Sequence, residues 1–189
     1  MGWCTGSSIP RRQRSCRALD KCRCNDYYLF VGRLQCEIKQ SKPFESLESE
    51  VYLNLARTAD VLQRWEVELL KPHDLTASQY NILRILRGAG GEGHRCAEIG
   101  ARMISRDPDI TRLLDRLEKR GLVRRARDTK DRRVVMTCIT EEGTALLAKL
   151  DEPVESTQRR LLGHMSRTDL ETLNRLLEAA RAPEEEAET

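Results

Sequence analysis

Gly121 separates two incompatible periodicities. Up to Gly121, apolar residues recur at three- and four-residue spacing, as in helices; after it, Leu122–Arg127 and Arg133–Ile139 read as two short strands around the charged segment 128–132. A chain with this change of period must pack helices, form a hairpin with a charged tip, and return to helix at Thr140-Glu141-Glu142-Gly143. Aromatic residues make up only 4% of the sequence, which argues against a sandwich or barrel and for a mostly helical class.

The elements before the switch follow from local chemistry. Leu47, Val51, Leu55, Ala59, Leu62, Trp65 and Leu69 lie at helical spacing, giving one long amphipathic helix from Phe44 to about Leu70, which Pro72 ends. Thr76-Ala77-Ser78-Gln79 has the form of a capping box, and Tyr80, Leu83, Ile85 and Leu86 supply a buried face until Gly88. Cys96, Ile99 and Met103 mark a short third helix. Asp107-Pro108 is read as the start of a fourth, with an acceptor at the N-cap and proline at the first helical position. Ile110, Leu113, Leu114 and Leu117 must face its core, which turns Asp109, Thr111, Arg112 and Arg116 outward. Beyond the hairpin, one helix carries Leu146 to Leu162 and a last one runs from Asp169 to Ala180 before an acidic tail.

Charge is concentrated rather than spread. The net charge is +3, yet residues 1–43 hold nine Lys/Arg against three acids, and residues 118–133 hold eight against three. The remainder is acidic on balance, so a polyanion has two places to bind. Two short helices followed by a basic hairpin have the element order of a winged helix-turn-helix, whose second helix enters the major groove while the hairpin runs along phosphates or into the minor groove. An arginine-rich hairpin alone could be no more than a protected sheet edge. Coupled to an exposed Arg112/Arg116 face one element upstream, it reads as a DNA-binding surface. The expected fold is mostly α (α+β): a winged helix-turn-helix with a two-stranded wing and N- and C-terminal dimerisation helices.

Three stretches carry a family resemblance: Leu75-Thr76-Ala77-Ser78-Gln79-Tyr80, DPDITRLLDRLEKRGLV over 107–123, and DTKDRRVVMTCITEEG over 128–143. Together they resemble the MarR family of bacterial transcriptional regulators, with the wing Asp-x-Arg at Asp131 and Arg133 and the helix start at Thr140 and Gly143. The resemblance covers about Phe44 to Ala180. It implies that Thr111, Arg112 and Arg116 contact DNA, with Asp109 near the groove floor and Asp115 an intrahelical partner for an arginine. It makes Arg133 the wing arginine held by Asp131, with Arg106, Lys130 and Arg132 beside them. It further implies a homodimer on a pseudo-palindromic operator, repression, and relief by a phenolic or drug-like effector bound between the dimerisation and DNA-binding parts. Where the family carries a Leu-Thr pair opening the third helix this chain has His94-Arg95, so the usual capping hydroxyl is missing.

The implied organisation is a basic, Cys-rich leader over 1–43, expected to be poorly ordered, a regulator domain over 44–182 and an acidic tail over 183–189. Within the domain, 44–71 and 141–181 would dimerise and 75–140 would bind DNA. One form of this reading places the start of the natural protein downstream of the leader. The rival classes are a winged-helix protein-interaction module and a non-specific nucleic-acid-binding module.

Other signals are weaker. Gly88 to Gly93 matches Gly-x-Gly-x-x-Gly, but a helix rather than a strand precedes it, so a flexible link is expected and not a nucleotide loop. Five of the seven cysteines (Cys4, Cys16, Cys22, Cys24 and Cys36) crowd into the leader without the paired Cys-x-x-Cys spacing of a zinc site, so no metal is assigned. Cys96 and Cys138 read as packing residues, and the first long helix lacks the cysteine through which some relatives sense peroxide. His73, His94 and His164 suit surface or capping roles. Trp65 and Tyr80 could line a pocket, though aromatics at helical spacing more often pack the core. No Ser/His/Asp or Cys/His arrangement points to an enzyme, no cofactor is expected, and no apolar run suits a membrane span or a secretory signal, which places the chain in the cytoplasm.

Overall fold

In the computed structural model, the described residues are 33–105, 109–127 and 134–182. The chain divides between Asn54 and Leu55 into two compact units. In the first, a five-residue helix α1 (Arg33–Glu37) carries an Arg33–Glu37 pair at 2.7 Å; it falls inside the leader, where the sequence suggests no element. Helix α2 (Leu47–Leu70) begins in this unit, capped by Ser46 Oγ accepting from the Ser49 N–H at 3.2 Å, and runs on into the second.

The second unit is organised around α3 (Ala77–Gly88). Its start is the capping box expected from the sequence. Thr76 Oγ1 accepts from the Gln79 N–H at 3.2 Å, and Gln79 Oε1 accepts from the Thr76 N–H at 3.0 Å. From there Tyr80, Ile82, Leu83 and Leu86 are buried, and they meet Ile99 of α4 (Cys96–Arg102), Leu113, Leu114 and Leu117 of α5 (Ile110–Lys119), and Leu147 and Leu150 of α6 (Glu141–Leu162) in one core. Arg87 fixes the far end of α3 to α6 through two hydrogen bonds to Asp151, at 2.8 and 2.9 Å. A last helix, α7 (Arg167–Ala179), is capped by Ser166.

The sheet has three strands where two are expected. Strands β2 (Val123–Arg127) and β3 (Val135–Ile139) form the hairpin, with Arg125 opposite Thr137, and β1 (His94–Arg95) adds to the free edge of β3 in the order β1-β3-β2. A two-residue strand has no period to read, and Arg95 is at the same time the N-cap of α4, so the pair also opens the third helix as the family resemblance implies. Gly93 makes this pairing possible: its φ is +70°, and a Cβ there would run into Thr137 O and Cys138 Sγ. The residue β1 contributes to α4 is a backbone donor: Glu98 accepts from the Arg95 N–H at 2.9 Å, half of a capping box without the hydroxyl.

The hairpin is tied back to the helices at Thr140. Its Oγ1 accepts from the Gly143 N–H at 3.1 Å and donates to Gly121 O at 2.7 Å, while its N–H donates to Leu122 O at 3.1 Å. Gly143 is buried so closely against Leu122 O and Ile139 that any side chain would displace the strand. No helix of the described residues is long and apolar enough to cross a membrane.

Candidate nucleic-acid interface

Helix α5 presents the outward face that the sequence requires, but its start differs. The N-cap is Asp109, whose carboxylate accepts from the Arg112 N–H at 3.3 Å, while Asp107-Pro108 lies outside the described residues. The same carboxylate sits 3.0 Å from Arg112 Nε. Asp109 is therefore a holder of Arg112 as well as a cap. Thr111, Arg112 and Arg116 are all exposed, and Arg112, whose side chain is 77% accessible, projects on its Asp109 support from the first turn of the helix.

Arg116 opens onto a hollow of about 530 Å³ between the end of α2, the start of α3 and α5. Lys71, Lys119 and Arg120 line it too, and Asp74 is its one lining carboxylate. Arg120 is spent on the fold: it donates to His73 O at 2.9 Å and to Asp74 O, holding the α2–α3 turn against the end of α5. Lys71, Arg116 and Lys119 have no ion-pair partner among the described residues, so their charge is available to an anion. Sequence reasoning singles out neither Lys71 nor Lys119. Lys119 is visible in the charge count, whereas Lys71 follows a helix in sequence and reaches this face only through the turn.

The wing contributes less charge than its composition suggests. Arg125 is half-buried and donates to Glu118 at 2.6 and 2.8 Å and to Asp115 at 2.5 Å. Asp115 thus pairs across to strand β2, where an intrahelical partner is expected. The hydrogen bond from Arg125 holds the Glu118 carboxyl below its ordinary range. Arg124 and Arg127, on the same strand, remain exposed. Arg106, Lys130, Asp131, Arg132 and Arg133 lie outside the described residues. Cys96 is exposed, its Sγ 3.9 Å from Thr111 Oγ1, contrary to the packing role expected of it; Cys138 is half-buried, and its Sγ donates to Gly91 O.

A second hollow, of about 400 Å³, lies between the C-terminal part of α2, α3 and α6. Leu62, Trp65, Leu69, Tyr80 and Val154 make its walls mainly apolar, and Asn81, Arg84 and Gln158 supply polar groups. Tyr80 is 6% exposed, and burial pushes its hydroxyl up against the opposing pull of Arg84, whose guanidinium lies 5.9 Å from the ring. Arg160 stacks 4.4 Å from the centroid of Trp65. Both aromatics line this hollow; Tyr80 is also part of the core, as its helical spacing suggests, whereas Trp65 is exposed. Among the described residues no group of three or more His, Cys, Asp or Glu could hold a metal ion.

Comparison with known proteins matches residues 75–135 to the MarR family model, a segment that runs from the capping box to the second wing strand. An HTH-type transcriptional regulator, TtmR, of Methylorubrum extorquens is 38% identical over 107 residues, covering 57% of this chain and 54% of that one, so the chain spans about half the length of this curated relative. A MarR transcription factor from Planctomyces limnophilus is 44% identical, with a TM-score of 0.56, over 72% of this chain and 99% of that structure. CouR from Rhodococcus jostii bound to p-coumaroyl-CoA is 27% identical (TM-score 0.63; 74% and 97% covered), and a mutant of Escherichia coli MarR complexed with operator DNA is 26% identical (TM-score 0.63; 73% and 100% covered). With its period switch, its Thr76–Gln79 capping box and its three-stranded wing sheet, the chain belongs to the MarR family of transcriptional regulators.

Proposed function

We propose that this chain is a ligand-responsive repressor that binds a pseudo-palindromic operator as a homodimer. The observation that carries the reading is the exposed face of α5: Arg112 braced by Asp109 at the entering end, and Arg116 beside the unpaired Lys119 and Lys71 further along. A planar guanidinium held in one orientation suits the two acceptors of a guanine edge. The lysines suit phosphates, where charge matters more than direction. Thr111 adds a hydroxyl and a methyl on the same face, and the wing residues Lys130, Asp131, Arg132 and Arg133, with Arg106 before α5, complete the proposed contact set. The relative solved with operator DNA supports double-stranded DNA as the partner.

In this reading residues 75–140 are the DNA-binding lobe, and 44–71 with 141–181 are the dimerisation helices. Exposed apolar side chains support the second assignment: Val61 and Val67 on α2 and Leu176 on α7 need a surface to cover them. The hollow around Trp65 and Tyr80 is the proposed effector site, and its mainly apolar walls with a few polar groups suit a phenolic or other small aromatic compound. The p-coumaroyl-CoA complex of CouR supports that chemical class.

The test is anisotropy titration of labelled duplexes tiled across the DNA upstream of the chain's own gene, at two salt concentrations, against random duplex. A site bound at least about a hundredfold more tightly than random DNA is the expected result. Equal affinity for every duplex would overturn operator recognition in favour of the non-specific module.

A further inference from the structure

The charge lining the hollow beside α5 is mostly positive and mostly uncommitted. Lys71, Arg116 and Lys119 reach it from the α2–α3 turn and from α5, and none has an ion-pair partner among the described residues. Asp74, its one lining carboxylate, has a side chain 97% accessible to solvent and so sits at the rim, 3.8 Å from Arg120 Nη1. Gln79 lines the same hollow and is only 5% exposed. Its Oε1 is occupied by the Thr76 N–H, at 3.0 Å, whereas its Nε2 has no acceptor among the described residues. Among those residues no fully buried side-chain nitrogen or oxygen lacks a partner, so Nε2 reaches open space, and the hollow is the space that Gln79 lines. A capping box needs only the acceptor, which glutamate supplies as well as glutamine. What glutamine adds is a pair of N–H donors, held among buried neighbours beside a positive hollow.

We infer that this hollow is a phosphoryl-binding site, in which Gln79 supplies direction and Lys71, Arg116 and Lys119 supply charge. A phosphoryl group carries about two negative charges on several acceptor oxygens, so it can meet cations from two elements and the amide at once. A carboxylate, with a single charge, leaves part of this set unmet. Ala77, on the first turn of α3, also lines the hollow, which adds the positive end of that helix. Arg120 stands outside the set, because its guanidinium is held by His73 O and Asp74 O. That anchoring keeps the turn that carries Lys71 against the end of α5, so the cations are assembled before an anion arrives. At about 530 Å³ the hollow has room for more than one tetrahedral oxyanion, which makes pyrophosphate a suitable probe. The group can come from the DNA backbone or from a free phosphate ester. Only in the first case does the inference rest on the proposed function, which it then deepens.

The experiment titrates the full nitrogen-labelled chain with pyrophosphate, with chloride holding the ionic strength constant, and follows it by NMR. The Gln79 side-chain amide and the Ala77 N–H are expected to shift saturably, and the N–H signals of Arg124 and Arg127 on the wing to move far less. Gln79→Glu keeps the acceptor of the capping box and loses the donor, so the unfolding midpoint should change little. Followed at the Ala77 N–H, it should raise the half-saturating pyrophosphate concentration at least about tenfold. Lys71→Ala with Lys119→Ala, both exposed, should raise it as well while leaving the cap untouched. A random duplex in place of pyrophosphate then identifies the source. If it shifts the same signals and pyrophosphate displaces it, the phosphoryl group is the DNA backbone's; if those signals stay in place, the group belongs to a small phosphate ester. Shifts of equal size along β2, or a half-saturation that neither variant changes, would overturn the inference, because either is the ordinary attraction of an anion to a basic surface. If the wild-type chain shows no operator preference, the proposed function fails, and the pyrophosphate titration still decides the inference.

Discussion

Arg125 grips Glu118 through both backbone and side chain, donating from its backbone N–H at 3.1 Å and from its guanidinium at 2.6 and 2.8 Å, which ties strand β2 to helix α5. Because that hydrogen bond holds the Glu118 carboxyl below its ordinary value, its contribution to stability has a defined sign. It is complete above the unfolded-chain value of about pH 4.3 and is lost as the pH falls through the lower folded value. Both side chains are partly accessible, so water screens the pair and a modest effect follows. Glu118→Gln should cost about 0.5–1 kcal/mol at pH 7, and the cost should shrink as the pH falls below about 4.3. Chemical denaturation of both proteins over a series of pH values from 7 downwards checks this; a difference that does not shrink as the pH falls would mean that packing, and not the charge, is what Glu118 supplies.

Asp109 does two things, and they can be separated. As the N-cap of α5 it satisfies the Arg112 N–H, and as an anion it steadies the Arg112 guanidinium at 3.0 Å. Asp109→Asn keeps the cap and loses the charge, whereas Asp109→Ala loses both. The alanine variant should be destabilised by about 1 kcal/mol and the asparagine variant by far less. On simple electrostatics, removing a negative charge near DNA strengthens binding to any sequence. Both variants should therefore bind random duplex at least as tightly as the wild type, yet discriminate less between operator and random DNA. A rise in discrimination would show that Arg112 reads DNA better unbraced.

Arg112 and the two lysines should fail differently when removed. Arg112→Ala deletes a proposed base contact and should cost about 1–3 kcal/mol against the operator, with the loss confined to one or two base pairs. Lys71→Ala with Lys119→Ala deletes charge facing the hollow beside α5, and should lower affinity for operator and random DNA by similar factors. The slope of log K against log salt should fall by about 0.9 for each phosphate that is no longer neutralised. Titrations at several salt concentrations distinguish the two patterns, and an unchanged slope in the double lysine variant would take Lys71 and Lys119 out of the interface.

Much of this arrangement is legible in the residues alone, because it depends on local signals. Thr76-Ala77-Ser78-Gln79 states its capping box in four letters, Ile110, Leu113, Leu114 and Leu117 decide which face of α5 is left for DNA, and Thr140 with Gly143 marks the return to helix. The features that escape sequence reasoning share a physical cause, since each depends on a partner distant in the chain. His94-Arg95 becomes a strand only because β3 offers an edge, and Asp115 finds Arg125 ten residues away because the hairpin folds back over α5. Lys71 joins the basic face through a turn held by Arg120. The start of α5 differs for another reason: Asp107 and Asp109 are equivalent caps by composition, and only the bond from Arg112 N–H distinguishes Asp109.

Helix α7 carries the last prediction. Leu170, Leu173, Leu176 and Leu177 recur along it at helical spacing, yet none of its thirteen residues is buried, and Leu176 is 52% exposed. A helix of this length draws its stability from covering an apolar face and not from propensity. A second copy of the chain is the occupant that the proposed function supplies. Burying a leucine side chain is worth about 1.5–3 kcal/mol, and a carboxylate placed in the same contact adds a desolvation cost, so Leu176→Glu should raise the dimer dissociation constant at least tenfold. Two copies of Leu176 are changed at a symmetric interface, which enlarges the effect if they lie near the axis. Sedimentation equilibrium across protein concentrations reads the constant directly, and a monomeric variant should keep its weak affinity for random DNA while losing the operator, because one recognition helix reads only half of it. Wild-type protein that sediments as a monomer at micromolar concentration, or a Leu176→Glu variant that dimerises as tightly as the wild type, would remove this face of α7 from the interface.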